Sequence, residues 1–298
     1  MAEAEAFTRH LARSHYENFS VVSWLLPRHL RQDFCNIYAF CRLADDLADD
    51  GSSGAAALRQ LERFRQGIRS CYGGQPDSAV FVALRCTIQR RDIPIDPFLD
   101  LINAFEQDQR VSRYDTFDDL KDYCSRSANP VGRLVLYLCG YRDARRHRLS
   151  DFTCTALQLA NFWQDVRRDL RERDRIYIPR DSMARFGVTE DDLWLDRGTE
   201  GFKRLIRFEV NRTEAMFKEG DGLLPTLDRS VRRQVALFGA GGRAVLQAIR
   251  RQGYDTLQRR PVLSVGQKAY LAARVVVIQL LSRWDWGTRA PGDHEQIR

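Results

Sequence analysis

Cys41-Arg-Leu-Ala-Asp45-Asp-Leu-Ala-Asp49-Asp50 and Gln158-Leu-Ala-Asn161-Phe-Trp-Gln164-Asp165-Val-Arg-Arg-Asp169 decide how this chain folds and what it handles. Each stretch holds two aspartates spaced i, i+4, at 45 and 49 and at 165 and 169. On a helix that spacing stacks the carboxylates one turn apart on one face. Like charges so placed repel and weaken the helix, so the pattern calls for a cation. Mg²⁺ suits it, because it takes oxygen ligands and shares them between carboxylates and a substrate's phosphates. Two such helices predict a clamp for one diphosphate.

The neighbours of each pair set its environment. At about 100° per residue, Tyr38, Arg42, Asp45 and Asp49 share one stripe, with Phe34 on its extension. Gln158, Asn161, Asp165 and Asp169 share another. A lone acidic pair is ordinarily a solvated face. Two pairs, each aligned with apolar or amide positions, point instead to a cavity that all four aspartates enter.

Periodicity predicts an all-α chain. Helices are expected over about 3–14, 30–49, 55–71, 78–90, 96–110, 116–126, 130–139, 150–172, 200–218, 229–253 and 266–284. Asp96-Pro97 and Thr116…Asp119 mark two starts. No repeat or long polar linker divides the chain, so one domain over 1–298 is expected, with a core of about 15–283. Gly239-Ala-Gly-Gly242 has the wrong spacing for a phosphate loop and predicts close helix packing.

Composition narrows the functions. Of 298 residues, 44% are hydrophobic and 29% charged, as in a globular protein with a full core. No apolar run is long enough to cross a membrane, and the N-terminus lacks a signal core. The seven cysteines form no CxxC and suit a reducing cytosol. A cytoplasmic protein is expected. The net charge is +7, with only four lysines, so Arg dominates. Guanidinium binds diphosphate in a planar fork. No nucleic-acid-binding motif accompanies the charge. An anionic substrate or an anionic membrane surface accounts for it, the latter by weak peripheral association at the inner face of the membrane.

The chain resembles the squalene/phytoene synthase family in both aspartate segments. The resemblance extends to Leu25-Leu26-Pro27, Ile37–Arg42, Arg113–Leu120, Val131-Gly132-Arg133, Arg175–Pro179 and Gly253-Tyr254-Asp255, in the family's order. It implies an isoprenoid synthase helical bundle with a central active-site cavity. Three segments resemble the hydroxysqualene synthases of bacterial hopanoid pathways: His15–Phe19, Ser125-Arg-Ser-Ala-Asn-Pro-Val-Gly132, and Gln164 where many members have Arg. The implied reaction is presqualene diphosphate plus water giving hydroxysqualene and diphosphate. Enzymes that make the substrate and use the product are the expected partners.

The same resemblance implies the roles. Asp45, Asp49, Asp165 and Asp169 would hold Mg²⁺. Asp46 is off the stripe. Arg42 would pair with diphosphate or orient Asp45. Gln158 and Asn161 would ligate metal or position water. Tyr38 and Tyr254 would bind diphosphate, and Tyr38, Phe40, Tyr123, Phe162 and Tyr254 would wall the cavity. Asn18, Asn129 or Gln164 would hold the water. Gln164 would also remove a positive charge beside the second pair. Arg171, Arg175 and Lys268 are expected as surface charge. A head-to-head prenyl transferase is the alternative, and a non-catalytic assembly factor a third possibility.

Overall fold

Within the computed structural model, residues 1–14, 27–49, 54–263 and 266 are described. The segment His15–Phe19, which includes Asn18, lies outside that set, as do Lys268 and all of the expected helix 266–284 beyond its first residue. The described residues form α-helices α1 (Ala2–Ser14), α2 (Arg31–Asp49), α3 (Gly54–Tyr72), α4 (Ala79–Arg91), α5 (Asp96–Asp108), α6 (Phe117–Ser127), α7 (Asn129–Leu138), α8 (Ala144–Arg173), α9 (Arg180–Arg185), α10 (Glu200–Gly220) and α11 (Arg229–Arg251). The sole extended pairing among them is an isolated bridge between Arg113 and Ile176. The fold is the all-α isoprenoid synthase bundle that the periodicity and the resemblance predict.

Local chemistry explains several boundaries. Thr116 caps α6 in a capping box. Its hydroxyl accepts from the Asp119 N–H at 3.1 Å, and the Asp119 carboxylate accepts from the Thr116 N–H at 2.9 Å. Helix α8 starts at Ala144, six residues before the expected position, because Asp143 caps it by accepting from the Arg146 N–H at 3.0 Å. The short α9 carries too few turns to show a period.

Two apolar clusters set the helix orientations. In the first, Phe40 is fully buried, with ring centroids 4.9 Å from both Phe64 and Phe98. Phe40 is thus core and not cavity wall, a correction that follows from its place on the opposite side of α2 from Asp45. The second cluster surrounds α8 and contains Trp163, Phe202, Leu205 and Phe217, all fully or almost fully buried. Trp163 Nε1 donates to Thr213 Oγ1 on α10 at 2.8 Å, which meets the indole's need for an acceptor.

Helix α8 also lies close to its neighbours because two glycines admit it. A Cβ on Gly132 would overlap Cys154 Sγ and sit 2.5 Å from Ser150 Oγ. A Cβ on Gly242 would sit 2.5 Å from Phe217 Cζ and 2.7 Å from Leu157 Cδ2. The close packing expected at 239–242 is therefore located at Gly242. Gly242→Ala should destabilise the fold by about 1–3 kcal/mol through overpacking. Gly241→Ala, whose Cβ would meet nothing within 4 Å, should not. Chemical denaturation of the two variants checks the contrast.

Candidate active site

Helices α2, α5, α6 and α8 enclose a cavity of about 280 Å³. Asp45 enters it from α2, Asp108 from the end of α5, and Tyr123 and Ser127 from α6. Gln158, Asn161, Phe162, Asp169 and Arg173 enter from α8, with Arg175 and Tyr177 just beyond it. Five residues expected at the site thus meet in one wall: Asp45, Tyr123, Gln158, Asn161 and Asp169. Phe162, expected as a wall aromatic, joins them.

The acidic groups are crowded. Burial, and then the neighbouring Asp49 carboxylate, push the Asp45 carboxyl above its ordinary range. Burial, and then Asp165, push Asp169 up to about 7. Arginines offset part of this. Arg42 donates to Asp45 at 3.1 Å and pairs with Asp46 at 2.5 Å, so it orients the motif from behind the cavity wall. Arg173 reaches from α8 to Asp49 Oδ2 at 2.7 Å and ties the two motifs together. Asp49 is exposed at the rim.

The two aspartates of the second motif share one face of α8 but differ in their partners. Asp169 faces the cavity. Asp165 is buried and held by Arg260 through Nε and, at 3.0 Å, through Nη2. Gln164 donates to the Pro261 carbonyl, and Arg167 Nη1 donates to the Leu257 carbonyl at 2.8 Å. The expectation that all four aspartates open onto one cavity is therefore corrected: Asp49, paired with Arg173, and Asp165, paired with Arg260, do not line it, and Gln164 is turned to the Pro261 carbonyl. Arg260 also supplies a positive charge beside Asp165, so Gln164 does not leave that carboxylate without one. Tyr254 follows α11 in a left-handed conformation (φ 64°), its N–H donating to the Ile249 carbonyl at 3.0 Å. It packs on the second core and is absent from the cavity wall. Tyr38 is half-buried on α2 and likewise outside the wall. Asn129 is buried, its side-chain oxygen accepting from Thr155 Oγ1 at 2.9 Å, and acts as a packing residue.

Several functional positions escaped the periodicity because they sit at element ends. Arg175 is not surface charge: its side chain is 12% exposed, and its Nη2 donates to the Asp108 carbonyl at 3.0 Å. Tyr177 stacks on Phe162 at 3.7 Å and 7°. With Tyr123 and Tyr114 these rings form one aromatic wall. Tyr123 donates its hydroxyl to Asp108 Oδ2 at 3.0 Å, while Asp108 Oδ1 is buried with no hydrogen-bond partner among the described residues. Ser127 Oγ is likewise buried and unpartnered. The segments 113–120 and 175–179, which carry part of the family resemblance, were the available signal.

Among the described residues no three carboxylate, histidine or cysteine side chains are gathered into a ready-made metal cage. The two motif carboxylates that line the cavity, Asp45 and Asp169, with the amides of Gln158 and Asn161 beside them, nevertheless offer hard oxygen donors from two helices. The cavity wall thus joins two arginines, Arg173 and Arg175, to carboxylates and an aromatic surface.

Comparison with known proteins gives the family. The squalene/phytoene synthase family profile matches residues 12–267. A phytoene synthase from Thermus thermophilus is 34% identical over 271 residues, covering 88% of this chain and 91% of its own. A hydroxysqualene synthase from Zymomonas mobilis is 35% identical over 227 residues, covering 74% of this chain and 75% of its own. The crystal structure of squalene synthase HpnC from Alicyclobacillus acidocaldarius superposes with a TM-score of 0.81 at 48% identity, covering 85% of this chain and 95% of that one. This chain belongs to the squalene/phytoene synthase family, whose members act on prenyl diphosphates.

The raised Asp169 carboxyl carries a stability consequence. Between its unfolded value of 3.8 and about 7, the folded state binds the extra proton, so stability falls as pH rises through that window. In metal-free protein at pH 8, Asp169→Asn should raise stability by roughly 1–2 kcal/mol, discounted for partial exposure. The gain should vanish near pH 4. Thermal unfolding across pH in the presence of a chelator measures it.

Proposed function

We propose that this enzyme ionises presqualene diphosphate and captures water at the resulting cation, giving hydroxysqualene and diphosphate. The observation that carries the proposal is Ser127. It belongs to the 125–132 segment, which departs from the condensing pattern, and its buried, unpartnered hydroxyl lines the cavity on the same face of α6 as Tyr123. A buried hydroxyl without a partner is an available hydrogen-bonding group for a water. An enzyme that joins two prenyl chains needs the opposite, a cation kept from water. The 35% identity to a hydroxysqualene synthase supports the same choice. The 34% identity to a phytoene synthase is the support for a head-to-head transferase.

Under this proposal Asp45 and Asp169 would hold Mg²⁺ from the two helices, while Asp49 and Asp165, also expected as ligands, are paired here with Arg173 and Arg260. Mg²⁺ bound there would supply positive charge against the leaving diphosphate. Arg173 and Arg175 hold the anion end. Gln158 and Asn161 position polar groups through their amides. The Phe162–Tyr177 stack and Tyr123 face the hydrocarbon and exclude bulk solvent. Presqualene diphosphate would come from a condensing enzyme, and the alcohol would pass to a reductive or dehydrating one.

Supplied with presqualene diphosphate, Mg²⁺ and no NADPH, the enzyme should form the alcohol, and ¹⁸O-labelled water should label its hydroxyl. Efficient conversion of farnesyl diphosphate alone to presqualene diphosphate or phytoene-type products would support the transferase instead. Ser127→Val should shift product from alcohol towards hydrocarbon. Asp45→Asn should lower turnover by about a hundredfold or more at limiting Mg²⁺, with its circular dichroism unchanged.

We also propose peripheral association with anionic membranes. Among the described residues no helix is long and apolar enough to cross a membrane. Trp194 and Leu195 are 51% and 46% exposed, and Arg171 beside them donates to the Trp194 carbonyl at 3.4 Å. Co-sedimentation with anionic vesicles at low salt should be weakened by replacing both with Ser. No sedimentation of the unaltered protein would refute it.

A further inference from the structure

We infer that Asp108 is the group that takes the proton from the captured water, with Tyr123 holding it in place. The inference rests on the water-capture reading above and adds a residue outside both aspartate motifs.

The geometry leaves Asp108 one free oxygen. Its side chain is 9% exposed and lines the cavity. Oδ2 accepts from the Tyr123 hydroxyl at 3.0 Å, and Arg175 Nη1 stands 3.8 Å from the same oxygen. Oδ1 is buried with no partner among the described residues. A buried carboxylate oxygen left unpaired costs free energy, so its retention beside a cavity calls for a ligand that supplies a donor. Water is such a donor. Ser127, whose hydroxyl is also unpartnered, enters the same cavity from α6. The ends of α5 and α6 are pinned together one residue away on each helix, where Arg126 Nη2 donates to Gln107 Oε1 at 2.9 Å.

The electrostatics suit the role. Burial pushes the Asp108 carboxyl up to about 6, partly countered by Arg175 and by the Tyr123 hydrogen bond. It is thus a better base than an exposed aspartate and still ionised at neutral pH. Its charge also faces the cavity in which, on the water-capture reading, the carbocation would form.

The step balances without a further reactant. The C–O bond to diphosphate breaks, and its electron pair leaves on the diphosphate oxygen. A water lone pair forms the new C–O bond to the cationic carbon. One water proton passes to Oδ1 of Asp108 and from there to solvent. Without that acceptor, the cation instead loses a C–H proton to the released diphosphate, giving a hydrocarbon.

The test is Asp108→Asn in the full chain with presqualene diphosphate and Mg²⁺. Diphosphate release and alcohol are both quantified, and thermal unfolding checks the fold. We expect diphosphate release within a few-fold of the unaltered enzyme, and an alcohol yield per diphosphate lower by about tenfold or more, with hydrocarbon making up the difference. An unchanged alcohol share would overturn the inference and make diphosphate the base. Equal losses of release and alcohol would also overturn it, because Asp108 would then serve binding or ionisation. Should Asp108→Asn fail to fold, Asp108→Glu, which moves the carboxylate by one methylene, decides by the same ratio. No alcohol from the unaltered enzyme would overturn the water-capture reading, and this inference with it. Alcohol from the unaltered enzyme with an unchanged share in the variants would overturn the inference alone.

Discussion

Crowding of like charge at one end of a half-buried cavity is the constraint on which the rest of the structure turns. Carboxylates brought together where water is scarce repel more strongly than they would at the surface. The fold answers with arginines paired to three of them: Arg42 with Asp45, Arg173 with Asp49, Arg260 with Asp165. Asp169 has no hydrogen-bonded or ion-paired partner of this kind among the described residues, and burial together with Asp165 pushes its carboxyl up to about 7. The least compensated charge among them therefore lies on the cavity wall.

The apolar side of the molecule exists to hold that arrangement. Phe40 and Ala44, both fully buried, fix one side of α2 in the first core and so turn Asp45 to the other. On α6, Leu120, Tyr123, Cys124 and Ser127 fall at i, i+3, i+4 and i+7 on one inward face, of which Tyr123 and Ser127 reach the cavity and Leu120 and Cys124 pack in the core beside it. The aromatic wall serves two needs. Stacking Phe162 on Tyr177 joins α8 to the segment beyond it, and under the proposed reaction these aromatic rings would give a developing cation a weak negative potential.

The helices and most of the cavity-facing residues were legible because helical periodicity fixes the face of each residue. Asp45, Asn161 and Asp169 follow from spacing alone. Asp165 did not, since period places it beside Asp169 but cannot foresee that Arg260, far along the chain, claims its carboxylate. Asp108 and Arg175 were hidden for another reason. Each stands at the end of a helix or just past it, where no repeat identifies a face and tertiary contact decides burial. Tyr254 shows the reverse error. Its segment is part of the family resemblance, yet its left-handed backbone turns it onto the core.

The bond from Trp163 to Thr213 carries a consequence for α8 as a whole. Phe162 and Gln164 flank the indole on either side, each about 100° around the helix from it, one lining the cavity and the other holding the Pro261 carbonyl. A single donor thus sets the roll angle of a helix that serves two unlike surfaces. Any twist that improved the fit of one would degrade the other by the same angle. The two faces are therefore mechanically geared, and sequence drift on α8 can refine side chains but has little freedom to re-aim the helix.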